Sequence, residues 1–117
     1  MQLSEISFES GQPVDGYGPN FFRIGGKLFE GKVAVLPQSC GPWSGFSDPA
    51  PFVDVAKDLD VVFVGTGANI AHIPGDFRTA LEFAGIGVEI MNSPTACRTY
   101  NILLSEGRRI GLALLPL

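Results

Sequence analysis

Two short groups of residues in this sequence have types and spacing that could support chemistry. The first is Gly65, Thr66 and Gly67, where the glycines let the backbone turn sharply and bring its amides close to a ligand. The second is Cys97 followed by Arg98, a thiol beside a cation. Backbone amides and a guanidinium group both bind anions, so the two groups predict a pocket for a small anion or polar ligand if they are neighbours.

The glycines have a second interpretation, because Gly65 and Gly67 follow a predicted strand, as the first glycines of a dinucleotide-binding fingerprint do. Glu89, near the end of the next predicted strand, would then bind the ribose. The third glycine is missing, however, since Ile70 occupies its place. The alternative is a tight strand exit with a close backbone approach, and no cofactor is expected.

Cys97 lies in the first turn of a predicted helix, where the helix N-terminus and Arg98 would both lower the pKa of a thiol. A reactive thiolate is one interpretation, with His72 as its only candidate base. A small apolar residue packed beside Ala96 is the other. The absence of a Cys-x-x-Cys motif argues against a thiol-redox protein. The sequence contains no metal-ligand spacing and no catalytic set of residues.

Arg98 also has a structural alternative, which is an ion pair with Asp60, Asp76 or Glu89.

Trp43 and Phe46 lie in a segment, residues 38–51, that is predicted to be irregular because of its glycines and prolines. A loop of this length in a small domain is often functional. Large aromatic residues usually serve packing, so we interpret the pair as pinning the loop down as a hydrophobic lid, with contact to a ligand as the alternative. An apolar patch at this loop would also be a surface for a protein partner.

The composition is that of a globular protein with an acidic balance. The 117 residues suffice for one domain, residues 1–117, and 45% of them are hydrophobic. The formal net charge of -4 disfavours nucleic acid and acidic lipid surfaces, which attract clustered Lys and Arg. No stretch approaches the ~20 apolar residues that span a bilayer, so no transmembrane segment is expected, and the first residues resemble neither a signal peptide nor a transit peptide.

The second half of the chain alternates between strands and helices. The apolar run at residues 60–64 predicts a central strand, and further strands are predicted at residues 86–91 and 110–115. One helix is expected from Pro74 to Gly85, with Phe77 and Leu81 on its buried face, and another from Ser93 as N-cap to Gly107. This order predicts crossover connections and helices packed on a sheet.

The first half of the chain reads as a β-meander. Residues 20–24 and 27–30 flank Gly25-Gly26 and predict a hairpin with a two-residue turn. Further strands are expected at residues 5–8 and 32–36, a loop at 11–19 and a short helix at 52–59. We therefore predict an α/β fold: a three-layer single domain with a mixed central sheet, two main helices and an additional N-terminal β-hairpin or meander layer.

Several motifs run in order along nearly the whole chain: residues 33–37 followed by Trp43, residues 65–67, 85–86 and 88–89, the predicted helix at 96–101 within residues 91–101, and residues 106–108. Through these motifs the chain resembles a known family, the small domains that include mitochondrial respiratory complex I assembly factor 3 and its short prokaryotic relatives. The resemblance implies a three-layer α/β fold. It carries over no catalytic residues.

The resemblance also implies a function, because the mitochondrial members assist assembly of a membrane-bound NADH:ubiquinone oxidoreductase together with another assembly factor. We therefore expect a non-enzymatic binding or assembly protein with a respiratory complex subunit or another assembly factor as partner, and self-association as a further possibility. The lack of a transit peptide points to a bacterial cytoplasmic protein, peripheral to the inner membrane through a partner. The alternative is a small-molecule or anion-binding protein or enzyme that uses Gly65 to Asn69 together with Cys97 and Arg98.

Overall fold

The computed structural model of this chain describes residues 6–7 and 11–117. The strands are β1 (Ile6–Ser7), β2 (Val14–Gly18), β3 (Phe21–Ile24), β4 (Lys27–Glu30), β5 (Val33–Val35), β6 (Ser39–Pro42), β7 (Val61–Thr66), β8 (Gly87–Met91) and β9 (Ile110–Leu115). The α-helices are α1 (Ala50–Val53), α2 (Gly75–Phe83) and α3 (Ser93–Ser105), and a 3-10 helix spans Ala56–Asp58.

Among these described residues, the main sheet has six strands in the order β1-β6-β5-β9-β7-β8. β7 runs parallel to both β8 and β9, whereas β5 pairs antiparallel with β9 and β6, so the predicted mixed sheet is confirmed. β9 is interior, as its continuous apolar run predicted. β7 lies one strand from the edge rather than at the centre, and β8 forms that edge.

The other edge strand, β1, falls within the predicted strand at residues 5–8, of which only residues 6–7 are described.

A second, three-stranded sheet in the order β2-β3-β4 forms the predicted hairpin layer. Ile24 pairs with Lys27 across Gly25 and Gly26, whose φ values of 57° and 81° suit the two-residue turn. The predicted loop at residues 11–19 is wrong, because β2 pairs with β3. The strand could not be predicted from local composition, because residues distant in sequence stabilise it. The side chain of Asn101 accepts a hydrogen bond from Val14 N at 2.8 Å and donates one to Val14 O at 2.8 Å.

The two faces of the main sheet carry separate cores, which confirms the three-layer architecture. On one face, Leu112 and Leu114 of β9 pack with Tyr100 of α3 and with Phe22 and Ile24 of the small sheet. On the other face, Val62 and Val64 of β7 pack beneath α2 and the segment that carries Trp43. Alternate residues of each strand point to opposite faces, so a single apolar run supplies both cores.

The predicted irregular segment at residues 38–51 is wrong in its first part, because β6 forms a hairpin with β5. Leu36 N donates to Ser39 O at 2.7 Å and closes the turn between the two strands. Pairing with β5 makes this segment a strand, because Ser39 to Pro42 has little intrinsic preference for strand structure.

The predicted short helix at residues 52–59 is divided into α1 and the 3-10 helix. Val55 between them has φ -117° and ψ 26°, which is not helical.

The two main helices, α2 and α3, pack on opposite faces of the sheet. α2 buries Phe77 and Leu81, as predicted, and α3 buries Ala96 and Tyr100. The predicted N-cap of α3 is wrong by one residue, because the side chain of Asn92 accepts from Thr95 N. The hydroxyl of Ser93 is therefore not used to cap α3.

Candidate functional site

The predicted ligand edge lies where β7 and β8 end. Gly65 of β7 is in register with Met91 of β8, and α3 begins just after β8, so the chain does bring Gly65 to Gly67 next to the start of α3. The expectation that these two strand ends are neighbours is met, because the ends of parallel strands fall at the same edge of a sheet. Whether this edge binds a ligand depends on which polar groups remain available.

Ser93 occupies the junction between β7, α3 and β9. Its hydroxyl accepts from Gly67 N at 2.8 Å and donates to Leu115 O at 2.6 Å, and its own backbone N donates to Gly67 O at 2.8 Å. The residue is 0% exposed. The Gly67 amide that was expected to bind a ligand is therefore used within the protein.

Gly65 is required here by close packing rather than by backbone conformation. A Cβ added to it would lie 2.8 Å from Ser93 Cα and 2.9 Å from Leu114 Cδ2. Real Cβ atoms essentially never show such contacts, so only glycine lets the start of α3 approach β7 this closely. This is the tight strand exit that was the alternative to a dinucleotide fingerprint.

Thr66 holds the loop that follows β7. Its Oγ1 lies 2.7 Å from Asn69 O and 3.2 Å from Met91 O, and it accepts from Ala71 N at 3.0 Å. These bonds explain why a polar residue stands at the end of an apolar strand. Gly65, Thr66 and Gly67 together thus have structural partners.

Cys97 points into the core beneath α3 and is 1% exposed. Burial raises the pKa of the Cys97 thiol to about 12, and the positive charge of Arg98 opposes this rise only in part. A thiol in this environment is protonated at neutral pH and is a poor nucleophile. These observations favour the small apolar residue over the reactive thiolate. His72, the proposed base, is exposed.

Arg98 is exposed and binds neutral partners. Its guanidinium donates to Tyr17 Oη at 3.0 Å and to Thr95 Oγ1 at 3.3 Å. Within residues 6–7 and 11–117 the ion pairs are Arg78–Glu82 and Arg109–Asp60, so the alternative ion pair of Arg98 with Asp60, Asp76 or Glu89 is wrong. Asp60 instead pairs with Arg109 at 2.8 Å, and the hydrogen bond from Arg109 holds the pKa of that carboxyl below its usual value.

Trp43 and Phe46 belong to an aromatic cluster, which we define as Trp43, Phe46, Phe52 and Phe77. The ring centroids of Trp43 lie 5.5 Å from Phe46, 5.7 Å from Phe52 and 5.6 Å from Phe77. Trp43 is 5% exposed, and its Nε1 donates to Asp48 O at 2.9 Å. The tryptophan ring is thus packed as a lid on the core, and little of it is left for a partner. Phe46 is only partly buried, so its role in a partner surface stays a prediction.

An open region lies at the loop that follows β7 and at β8. Ile70, Ala71, His72 and Ile90 line a shallow cavity of about 290 Å³. Ile70 is 65% exposed, although it is a large apolar side chain. Sequence reasoning noted Ile70 only as the missing third glycine. The sequence signal that could have indicated this exposed residue is an isoleucine in a loop, between the polar Asn69 and the small Ala71.

Comparison with known proteins identifies the family. Residues 14–115 match the family described as protein of unknown function DUF498/DUF598. The chain belongs to the DUF498/DUF598 family. This match, together with relatives at 32% identity that are named complex I assembly factor 3, confirms the resemblance inferred from the motifs.

Relatives of this DUF498/DUF598 chain include an uncharacterised protein of Rhodobacter capsulatus, 44% identical over 100% of the chain and 94% of that protein. The rat protein named NADH dehydrogenase (ubiquinone) 1 alpha subcomplex assembly factor 3 is 32% identical over 99% of the chain. The chain spans 66% of the length of that rat protein.

Solved structures share the DUF498/DUF598 fold seen here. A Bartonella henselae protein described as an outer membrane protein has a TM-score of 0.84 at 25% identity and covers 93% of this chain and 98% of its own. A Bordetella pertussis protein described as a Mth938-like domain has a TM-score of 0.73 at 25% identity, over 99% of this chain and 92% of its own. Across residues 6–7 and 11–117 of our chain, no helix combines the length and apolar character needed to cross a membrane.

Proposed function

We propose that this chain is a non-enzymatic binding protein that assists the assembly of a respiratory membrane complex. The observation that carries the proposal is its similarity, over 99% of the chain, to a relative named as an assembly factor of NADH dehydrogenase. The matched segment is the folded unit described above, so the proposed binding role belongs to this unit. The relatives are longer than this chain, and we propose that it shares the assembly activity that their names give to the whole proteins.

The geometry of the predicted site supports a binding role over a catalytic one. The amide of Gly67 and the hydroxyl of Ser93 satisfy each other inside the protein. Cys97 is buried with a raised pKa, and Trp43 is packed into the core. The residue types that first suggested chemistry therefore have structural tasks.

The proposal extends to partners and location. We expect residues 1–117 to act as a single domain that binds a respiratory complex subunit or another assembly factor. We further expect it in the bacterial cytoplasm, peripheral to the inner membrane through that partner. Self-association is a further possibility, which sedimentation at micromolar concentrations tests.

The decisive experiment is deletion of the gene in its host. We expect less assembled NADH:ubiquinone oxidoreductase on native gels and lower NADH oxidation by membranes, with succinate oxidation as the control. The tagged chain, expressed in the deletion strain, should restore assembly and retain subunits of the complex. Normal assembly in the deletion strain, with no subunit retained, would refute the proposal.

The alternative function, binding of a small molecule or anion at Gly65–Asn69 and Cys97–Arg98, has its own outcome in the same purification. Of these residues, Arg98 is an exposed cation. Recovery of one small molecule in stoichiometric amount, released by Arg98→Ala but not by Arg78→Ala, would support it. Arg78 is a suitable control because it is another arginine in a helix and pairs with Glu82.

A further inference from the structure

The outer edge of β8 has backbone groups that no described residue satisfies. Gly87 N donates to Asp60 O at 2.8 Å, so the backbone groups of Gly87 point toward β7. Because successive residues of a strand point their N–H and C=O groups in opposite directions, Glu89 and Met91 also face β7. Val88 and Ile90 must then face away from the sheet. Among the described residues, no hydrogen bond reaches the outward groups of Val88 and Ile90.

The side chains along this edge differ between the two faces of the sheet. Glu89 is in register with Phe63 on the face that carries α3, and its side chain is exposed. Ile90 is in register with Val64 on the opposite face and lines the apolar cavity with Ile70. The edge therefore presents a carboxylate on one face and an apolar groove on the other.

A second copy of this chain is a poor occupant of this edge. An antiparallel pairing that joins the outward groups of Val88 in one copy to those of Ile90 in the other is centred on Glu89. Glu89 would then lie directly opposite Glu89 of the copy, with Cα atoms about 4.5 Å apart. Like charges in this position destabilise a strand pair. The net charge of -4 acts in the same direction.

We propose that the outer edge of β8 binds an extended segment of a partner protein, which carries a basic residue opposite Glu89 between two apolar residues. The basic side chain pairs with Glu89, and the apolar side chains lie on the face of Ile70 and Ile90. Addition of a strand to an open sheet edge is an established mode of peptide recognition, in which backbone bonds supply affinity and alternate side chains supply specificity. The inference rests on the proposed binding function and names the surface and the partner chemistry.

The direct test titrates the full chain with a short synthetic peptide that has lysine between two valines, observed by NMR. We expect the largest shifts and slowed amide exchange at Val88 and Ile90. A peptide with glutamate in place of the lysine should bind about twofold to fivefold more weakly, which is the effect of one exposed charge pair. In Glu89→Lys the preference should reverse. A peptide with methylated backbone nitrogens at its bonding positions should not bind.

A protein variant isolates the backbone contribution. Val88→Pro removes an outward N–H while leaving the bonds to β7, a position at which edge strands accept proline. Provided circular dichroism shows a folded protein, Val88→Pro should lose peptide binding at least about tenfold, the usual consequence of removing a hydrogen bond together with its geometry. Leu28→Ser, on exposed apolar surface of the small sheet, is the matched control and should bind normally.

Several results would overturn the inference. No binding of the lysine peptide at millimolar concentration would do so, as would equal binding of the lysine and glutamate peptides. Chemical-shift changes confined to residues outside β8 would place the peptide at another site. Dimerisation through β8 in sedimentation experiments would make a second copy of this chain the occupant. The two proposals fail separately: complex assembly restored by a folded Val88→Pro chain refutes the β8 surface alone, whereas peptide binding by a chain whose deletion leaves assembly normal refutes the assembly function alone.

Discussion

The junction between β7 and α3 and the outer edge of β8 lie one strand apart, yet they differ in how their polar groups are satisfied. At the junction, Ser93 and Gly67 bond to each other and Ser93 bonds to β9, with almost no contact with solvent. At the edge, Val88 and Ile90 direct backbone groups away from the sheet, beside an isoleucine that is 65% exposed.

Glycines at the end of a strand therefore do not by themselves make a ligand site. Gly65 permits the close approach of α3, and the amide of Gly67 bonds to Ser93 at the start of that helix, so the backbone group that a ligand would need is already satisfied. Binding of a polar ligand or of an added strand requires backbone groups that the fold leaves unsatisfied. In the described part of the chain, the β8 edge has such groups and the junction does not.

Gly65→Ala tests the closed junction most severely. Because the added Cβ would meet backbone Ser93 Cα at 2.8 Å, we expect the free energy of unfolding to fall by about 3 kcal/mol. Urea denaturation measures it. Gly75→Ala is the control, since nothing lies within 4 Å of its added Cβ. A Gly65→Ala protein as stable as the control would show that α3 can move away from β7 at little cost.

Ser93→Ala should have the next largest effect on stability. It leaves Gly67 N without its acceptor and Leu115 O without its donor, so we expect a loss of about 2 kcal/mol. Ser105→Ala removes an exposed hydroxyl that also bonds a carbonyl of its own helix, and it should change stability by less than about 0.5 kcal/mol. Equal effects of the two variants would contradict a special role for the junction.

Cys97 should resist alkylation at neutral pH. Because burial raises its pKa to about 12, we expect modification at least about tenfold slower than in guanidinium chloride. The raised pKa also means that the folded state keeps a proton that the unfolded state loses. Its contribution to stability is therefore complete below pH 9 and falls as the pH rises toward 12. Rapid alkylation of the folded protein would restore the reactive-thiol hypothesis.

The open edge should tolerate substitution. We expect Ile70→Ser to change stability by less than about 0.5 kcal/mol, because its side chain is mostly in solvent.

Amide hydrogen exchange should distinguish the two regions even without mutation: the amides of Val88 and Ile90 should exchange quickly, whereas those of Gly67 and Glu89 should be protected. Protection of Val88 in the isolated protein would show that its N–H already has a partner.

Prediction from the sequence succeeded where local pattern and tertiary environment agree. The apolar runs of β7 and β9, the buried face of α2 and the Gly25-Gly26 hairpin all follow from periodicity and turn chemistry. It failed for β2 and β6, whose residues have weak strand preference. These segments become strands because β3 and β5 offer them hydrogen-bonding partners.

Patterns along the chain were enough to predict the α/β class, the two main helices, the hairpin layer and the family. The order of strands in the sheet, and with it the exposed edge of β8, could not be predicted in this way, because strand pairing joins residues that are far apart in sequence. The same holds for the site. Cys97 and Arg98 are adjacent in sequence, yet packing against the sheet buries one and leaves the other in solvent.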